Sequence, residues 1–224
     1  LVQAFAKASS DDARDVALNG MRDIADGAYG TVATELAAAI RDGGGIAALT
    51  ACMGSPSVDL QQGAMEMLGN LLTDVFDSEA RQSLDLFVLS GGLASLQAKL
   101  SEEYPSNLLA CAALQNVTSL DPEGCGRALR EAGCMDVLTR LVEDDNQDVS
   151  SYAMAVLANL RATDPNPAAN LALEESIRQR RLLELVERMR AGRALLTVQA
   201  AAHRWVEARR RANIHRTAFK VVES

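Results

Sequence analysis

Three stretches decide the fold: GAMEMLGNLL (63–72), LACAALQNVT (109–118) and YAMAVLANLR (152–161). They align without gaps. VALNGMRDIA (16–25) and AAAHRWVEAR (200–209) fit the same frame. One position, the anchor, holds Asp23, Asn70, Asn116, Asn159 and Glu207, at spacings of 47, 46, 43 and 48 residues. Six positions before it stand Ala17, Ala64, Ala110, Ala153 and Ala201. Two before it stand Met21, Leu68, Leu114, Leu157 and Trp205, and one after it Ile24, Leu71, Val117, Leu160 and Ala208. At 100° per residue these apolar positions share one helix face. A repeated alanine among larger apolar residues predicts another helix crossing closely there.

A second pattern lies between these helices. GGGIAALTACM (43–53), SGGLASLQAKL (90–100) and AGCMDVLTRLV (132–142) each give glycine and then a short apolar segment, with Ile46, Leu93 and Met135 in matching places. Glycine permits a tight corner of positive φ between two helices. In the fourth instance, before Leu182, Arg180 and Arg181 replace the glycines. Pro56 and Pro105 precede two of the long helices, and Pro122 and Pro165 follow two. Proline ends helices and presets turns. One unit therefore reads as helix, glycine corner, short helix, polar turn and long third helix, repeated every 43–48 residues. That is the signature of an all-α solenoid.

Composition agrees. The 224 residues are 48% hydrophobic and 4% aromatic. Alanine, leucine and valine must fill the core, which favours close-packed helices. No apolar run reaches the length of a membrane span. No basic-then-apolar leader opens the chain. Its start at Leu1 and its uncapped ends read as a segment of something longer, or as a chain that pairs with itself.

Cys52, Cys111, Cys125 and Cys134 form no C-x-x-C pair, and His203 and His215 are the two histidines. Neither a metal site nor a disulfide framework is expected; the cysteines read as buried apolar residues in a reducing compartment, cytoplasmic or also nuclear. There is no P-loop, no G-x-S-x-G and no dinucleotide fingerprint, so no enzyme activity and no cofactor are expected.

The net charge is −8. Residues 1–173 hold 10 Lys and Arg against 24 Asp and Glu, whereas residues 174–224 hold 12 against 6. An acidic body repels nucleic acid and suits a basic peptide or protein. The basic end on the acidic body also offers a route to self-association.

The residues Ala64-x-x-x-Leu68-x-Asn70-Leu71, Ala110-x-x-x-Leu114-x-Asn116-Val117 and Ala153-x-x-x-Leu157-x-Asn159-Leu160, with the glycine corners before them, resemble the armadillo repeat family. The resemblance covers about 16–211. It implies a right-handed α-solenoid of three-helix repeats over 1–224. Full units would span 28–73, 74–119 and 120–162, with a divergent fourth at 163–211 and partial units at both ends. It also implies a non-enzymatic scaffold whose third helices line a concave groove for partner proteins or extended peptides, with Asn70, Asn116 and Asn159 bonding the peptide backbone. Where the importin-alpha branch carries a tryptophan, this chain has Glu66, Ala112, Ala155 and His203.

Periodicity alone places Gly63, Glu66, Asn70 and Thr73 on the helix face opposite the core, then Leu109, Ala112, Asn116 and Ser119. Tyr152, Ala155, Asn159 and Ala162 follow, then Ala200, His203, Glu207 and Arg210. From these the candidate peptide contacts are Asn70, Asn116, Asn159, Glu66, Thr73, Tyr152, His203 and Glu207. An asparagine can pair both groups of an extended backbone. It can equally tie neighbouring units together, and both readings stay open.

One further stretch, LLTVQAAAHRWVEARRR (195–211), resembles an IQ motif through Val198-Gln199, Trp205 and Arg209; His203, Arg204 and Ala208 depart from it. It implies an alternative in which a calmodulin-like protein binds this basic helix. Ala201 and Trp205 also fit the core frame of a last repeat.

Overall fold

The computed structural model describes residues 1–161 and 163, and the single helical residues Glu175, Arg178, Gln179, Leu182, Leu183, Val186, Met189 and Arg190. The chain divides into two compact units, Leu1–Leu173 and Glu174–Ser224. The expected fourth repeat at 163–211 and the IQ-like helix therefore lie almost wholly outside the described residues.

Among the described residues the first unit is built from helices, with no strand. A short α1 (Val2–Lys7) leads into α2 (Asp11–Asp26). Three triplets follow: α3 (Thr31–Asp42), α4 (Gly45–Cys52) and α5 (Val58–Leu71); α6 (Ala80–Leu89), α7 (Gly92–Lys99) and α8 (Ser106–Leu120); α9 (Pro122–Glu131), α10 (Cys134–Leu141) and α11 (Gln147–Arg161). The long helices form a ladder, α2 on α5, α5 on α8 and α8 on α11.

Local chemistry sets the breaks. Ser10 accepts from the Ala13 N–H at 3.3 Å and starts α2; Ser57 accepts from Leu60 at 3.3 Å and starts α5. Each satisfies an orphan donor of a first turn. Asp121 alone separates α8 from α9. Its carboxylate accepts from the Gly124 N–H at 3.0 Å, and Pro122 fills the first helical position. The glycine corners sit at Gly44, Gly91 and Gly133, with φ of 72°, 79° and 70°. Left-handed backbone at these points lets α4, α7 and α10 turn sharply away from the helices before them.

The core follows the repeat frame. Ala17, Ala64, Ala110 and Ala153 are buried, as are Met21, Leu68, Leu114 and Leu157. Leu71, Val117 and Leu160 are buried too, but Ile24 is 45% exposed. The departure has a simple cause. Positions 63, 67 and 71 form one i, i+4 ridge of α5, and a Cβ on Gly63 would lie 3.0 Å from Leu18 Cδ2 of α2. That ridge faces the previous long helix. Ile24, on the matching ridge of α2, has no earlier long helix among the described residues to cover it.

Polar ties join consecutive triplets. Arg41 of α3 is buried and pairs with Asp77 in the α5–α6 connection, whose residue is 0% exposed. Arg41 also donates to Ser83 Oγ at 3.0 Å and to Glu79 Oε2 at 2.8 Å, while Ser83 Oγ donates to Asp77 Oδ2 at 3.1 Å. A buried ion pair needs this full set of partners, because desolvation otherwise outweighs the attraction. Lys99 of α7 reaches back to Gln61 Oε1 of α5 at 2.7 Å, and Arg81 of α6 reaches forward to Asp121 Oδ2, at the start of the third triplet, at 3.3 Å.

Candidate functional site

The ladder of long helices leaves a groove between α5 and α8. It has a volume of about 450 Å³ and is lined by Met65, Glu66, Gly69, Asn70, Thr73, Val75, Leu109, Ala112, Ala113 and Asn116. Its floor is mostly small or apolar. Glu66 is its one ionisable lining residue. Gly69, Ala112 and Ala113 are the small residues of the lining, and their missing side-chain volume helps leave the space.

Four expected contact residues, Glu66, Asn70, Thr73 and Asn116, line this one groove. Tyr152 and Asn159 lie on α11 of the next triplet, Tyr152 37% exposed and Asn159 half-buried. His203 and Glu207 fall outside the described residues. The lining also includes Met65, Gly69, Ala113 and Val75. Met65 and Gly69 stand four apart on the side of α5 that meets α8, and which neighbour that side meets is not written in the local period. Val75 is 90% exposed in the connection after α5, where helical periodicity gives none.

The asparagines do different jobs. Asn116 Nδ2 donates to the Gly69 carbonyl at 2.9 Å. Asn159 Nδ2 donates to the Gln115 carbonyl at 3.0 Å and to Thr118 Oγ1 at 3.1 Å. In both cases the carbonyl belongs to the residue just before the preceding unit's own asparagine. Asn70 makes no side-chain hydrogen bond among the described residues. At its seam with α2, Arg22 and Glu66 form an ion pair instead. Two of the three asparagines thus use amide donors between units, and their Oδ1 atoms accept no hydrogen bond among the described residues.

A second, polar hollow of about 230 Å³ adjoins the groove, between α2 and α5. Asp15, Asn19, Arg22, Asp59, Gln62, Gly63 and Glu66 line it. Glu66 belongs to both spaces. Arg22 Nη1 donates to Asn19 Oδ1 at 3.3 Å, and Asn19 Nδ2 to Asp15 Oδ2 at 3.2 Å.

The cysteines stay away from this surface. All four are buried, and burial pushes the Cys111 thiol up to about 12 and the Cys125 thiol up to about 11. Among the described residues no group of three or more His, Cys, Asp or Glu is placed to hold a metal ion. No described helix is long and apolar enough to cross a membrane.

No protein-family model matches the chain, and no curated protein matches it. Solved structures do. A designed armadillo repeat protein superposes with a TM-score of 0.60 at 18% identity, over 80% of this chain and 68% of that one. A second, in complex with the peptide (KR)4, gives 0.60 at 17% over 84% and 72%. Computationally designed armadillo repeat proteins for modular peptide recognition give 0.61 at 19% over 84% and 72%. At these identities the likeness speaks for fold: the chain is an all-α solenoid of armadillo-like architecture.

Proposed function

We propose that the chain is a non-enzymatic scaffold that holds an extended peptide segment of a partner protein against the long-helix ladder. The observation that carries this reading is the groove between α5 and α8. Small residues help open a space of about 450 Å³, and Asn70, whose side chain makes no hydrogen bond among the described residues, stands in its wall. A free side-chain amide beside a shallow apolar floor suits a peptide, which needs its backbone groups paired and its side chains buried. The designed armadillo repeat protein in complex with the peptide (KR)4 and those designed for modular peptide recognition support the reading by architecture. Charge supports a basic or mixed-charge segment, since residues 1–173 hold 24 acidic against 10 basic side chains.

The test plugs the groove without loosening the fold. Ala112 lines it and is half-exposed, so Ala112→Trp fills it from the surface side. A peptide array probed with the parent and with Ala112→Trp should show extended basic peptides retained by the first and lost by the second. Asn70→Ala should weaken the same peptides about two- to twelvefold, the worth of one hydrogen bond. Equal binding by parent and Ala112→Trp sinks the groove as the site. Asn116→Ala and Asn159→Ala are poor probes here, because both amides tie units together.

A further inference from the structure

Arg22 lies in an unusual place for an arginine on an acidic body. It projects from α2 over α5 and pairs with Glu66, the carboxylate at the edge of the groove. Its side chain passes over Gly63, where a Cβ would stand in ordinary contact at 3.6 Å from Arg22 Cδ and 3.5 Å from its Nη1. The pair is open to water, with side chains 39% and 42% exposed. Such pairs hold weakly and separate easily. Asp15 and Asp59 line the same hollow, where Asp15 accepts from Asn19 at 3.2 Å and Glu66 is the carboxylate paired with Arg22.

We propose that Arg22 is an internal stand-in for a cationic side chain of the bound segment. The partner is an extended peptide carrying a basic residue close to an apolar one. The apolar side chain enters the groove between α5 and α8, over Leu109 and Ala112. The basic side chain takes Glu66 from Arg22, which turns toward Asp15 and Asp59. Neighbouring seams of packed helices lie about 8–10 Å apart, so the two side chains stand two or three residues apart at about 3.3 Å per residue. This inference rests on the peptide-binding reading above and adds a charge competition at its edge. Because Arg22 keeps Glu66 paired when nothing is bound, a basic side chain must displace it, and Arg22 lowers the preference for basic over neutral segments.

The test uses a fluorescein-labelled decapeptide, Gly-Ser-Arg-Ala-Leu-Arg-Ala-Leu-Ser-Gly, and its counterpart with Gln in place of each Arg. Anisotropy titrations compare the parent with Arg22→Ala, Arg22→Gln, Glu66→Gln and Ala112→Trp, each checked for unchanged helicity and melting. Both Arg22 variants should bind the Arg peptide about two- to fivefold tighter, the worth of an exposed pair no longer in competition. The Gln peptide should show no gain. In a Glu66→Gln background the Arg22 substitutions should have no effect. Equal or weaker binding of the Arg peptide by both Arg22 variants, with binding still lost in Ala112→Trp, overturns the role of Arg22 and leaves the groove standing. Binding that survives Ala112→Trp, or no binding by any protein, overturns the groove reading and this inference together.

Discussion

Asn116 donates its side-chain amide to the backbone carbonyl of Gly69, 2.9 Å away and 47 residues earlier in the chain. Asn159 repeats the bond one unit later, to Gln115 at 3.0 Å, and adds Thr118 Oγ1. Asn116 and Asn159 are therefore joints between units, and Asn70, in the same register, is not. Asn116→Ala should cost about 0.5–1.5 kcal/mol, and Asn159→Ala, which loses two partners, more than Asn116→Ala. Asn70→Ala should change stability by less than about 0.5 kcal/mol. Urea unfolding of the three single variants checks the order; an equal loss at all three would contradict the joint.

The buried Arg41–Asp77 pair makes a sharper demand. Asp77→Ala leaves a guanidinium in the interior with Ser83 and Glu79 as its remaining side-chain partners. Breaking such a pair from one side costs about 3–5 kcal/mol. Arg41→Met together with Asp77→Leu should recover most of that loss, because no buried charge remains and the carboxylate left behind, Glu79, is 52% exposed. A double-mutant cycle in urea reads both values.

The glycine corners rank by geometry. Gly91 has φ of 79° with open space around it, so Gly91→Ala meets only the left-handed backbone penalty of about 1–2 kcal/mol. Gly92→Ala puts a Cβ 2.1–2.4 Å from the ring of Phe87, which is fully buried. The ring must move, and the second variant should melt well below the first in a thermal scan.

Thiol chemistry should depend on the fold. Burial raises the Cys111 thiol from 9.0 to about 12 and the Cys125 thiol to about 11. Iodoacetamide at pH 8 should leave both unlabelled in the native protein and label both in urea, read by mass spectrometry. The sign for stability follows. The neutral thiols are favoured in the folded state, so their contribution is fully present below about pH 9 and is lost as the pH rises toward 11–12. Replacing both with alanine should flatten the alkaline fall in stability.

How much of this is legible in the sequence depends on the distance between the groups involved. The long helices and their alanine faces are written in local periodicity, and Ala64, Ala110 and Ala153 are buried where that period puts them. The corners are equally local, because a left-handed backbone asks for glycine at one position, and Gly44, Gly91 and Gly133 supply it. The Arg41–Asp77–Ser83 cluster is invisible at that level. Its members stand 36 and 42 residues from Arg41, in no repeating pattern, and meet only once α3 and the α5–α6 connection have docked. Arg22 and Glu66 are hidden for the same reason, 44 residues apart. Ile24 shows the opposite failure. Its period predicts burial, but burial needs a neighbouring helix, and periodicity reports only a face.

The joint between units has one more property. Its acceptor is a main-chain carbonyl, supplied by a glycine at one seam and a glutamine at the next. The bond therefore ignores the side chain of the residue it reaches. Whole units can be duplicated, deleted or exchanged without redesigning the partner of each asparagine, as long as the cut falls at the same point of the period. The side chains along the ladder then stay free to diverge, so the architecture can lengthen by copying while the surface it presents changes one unit at a time.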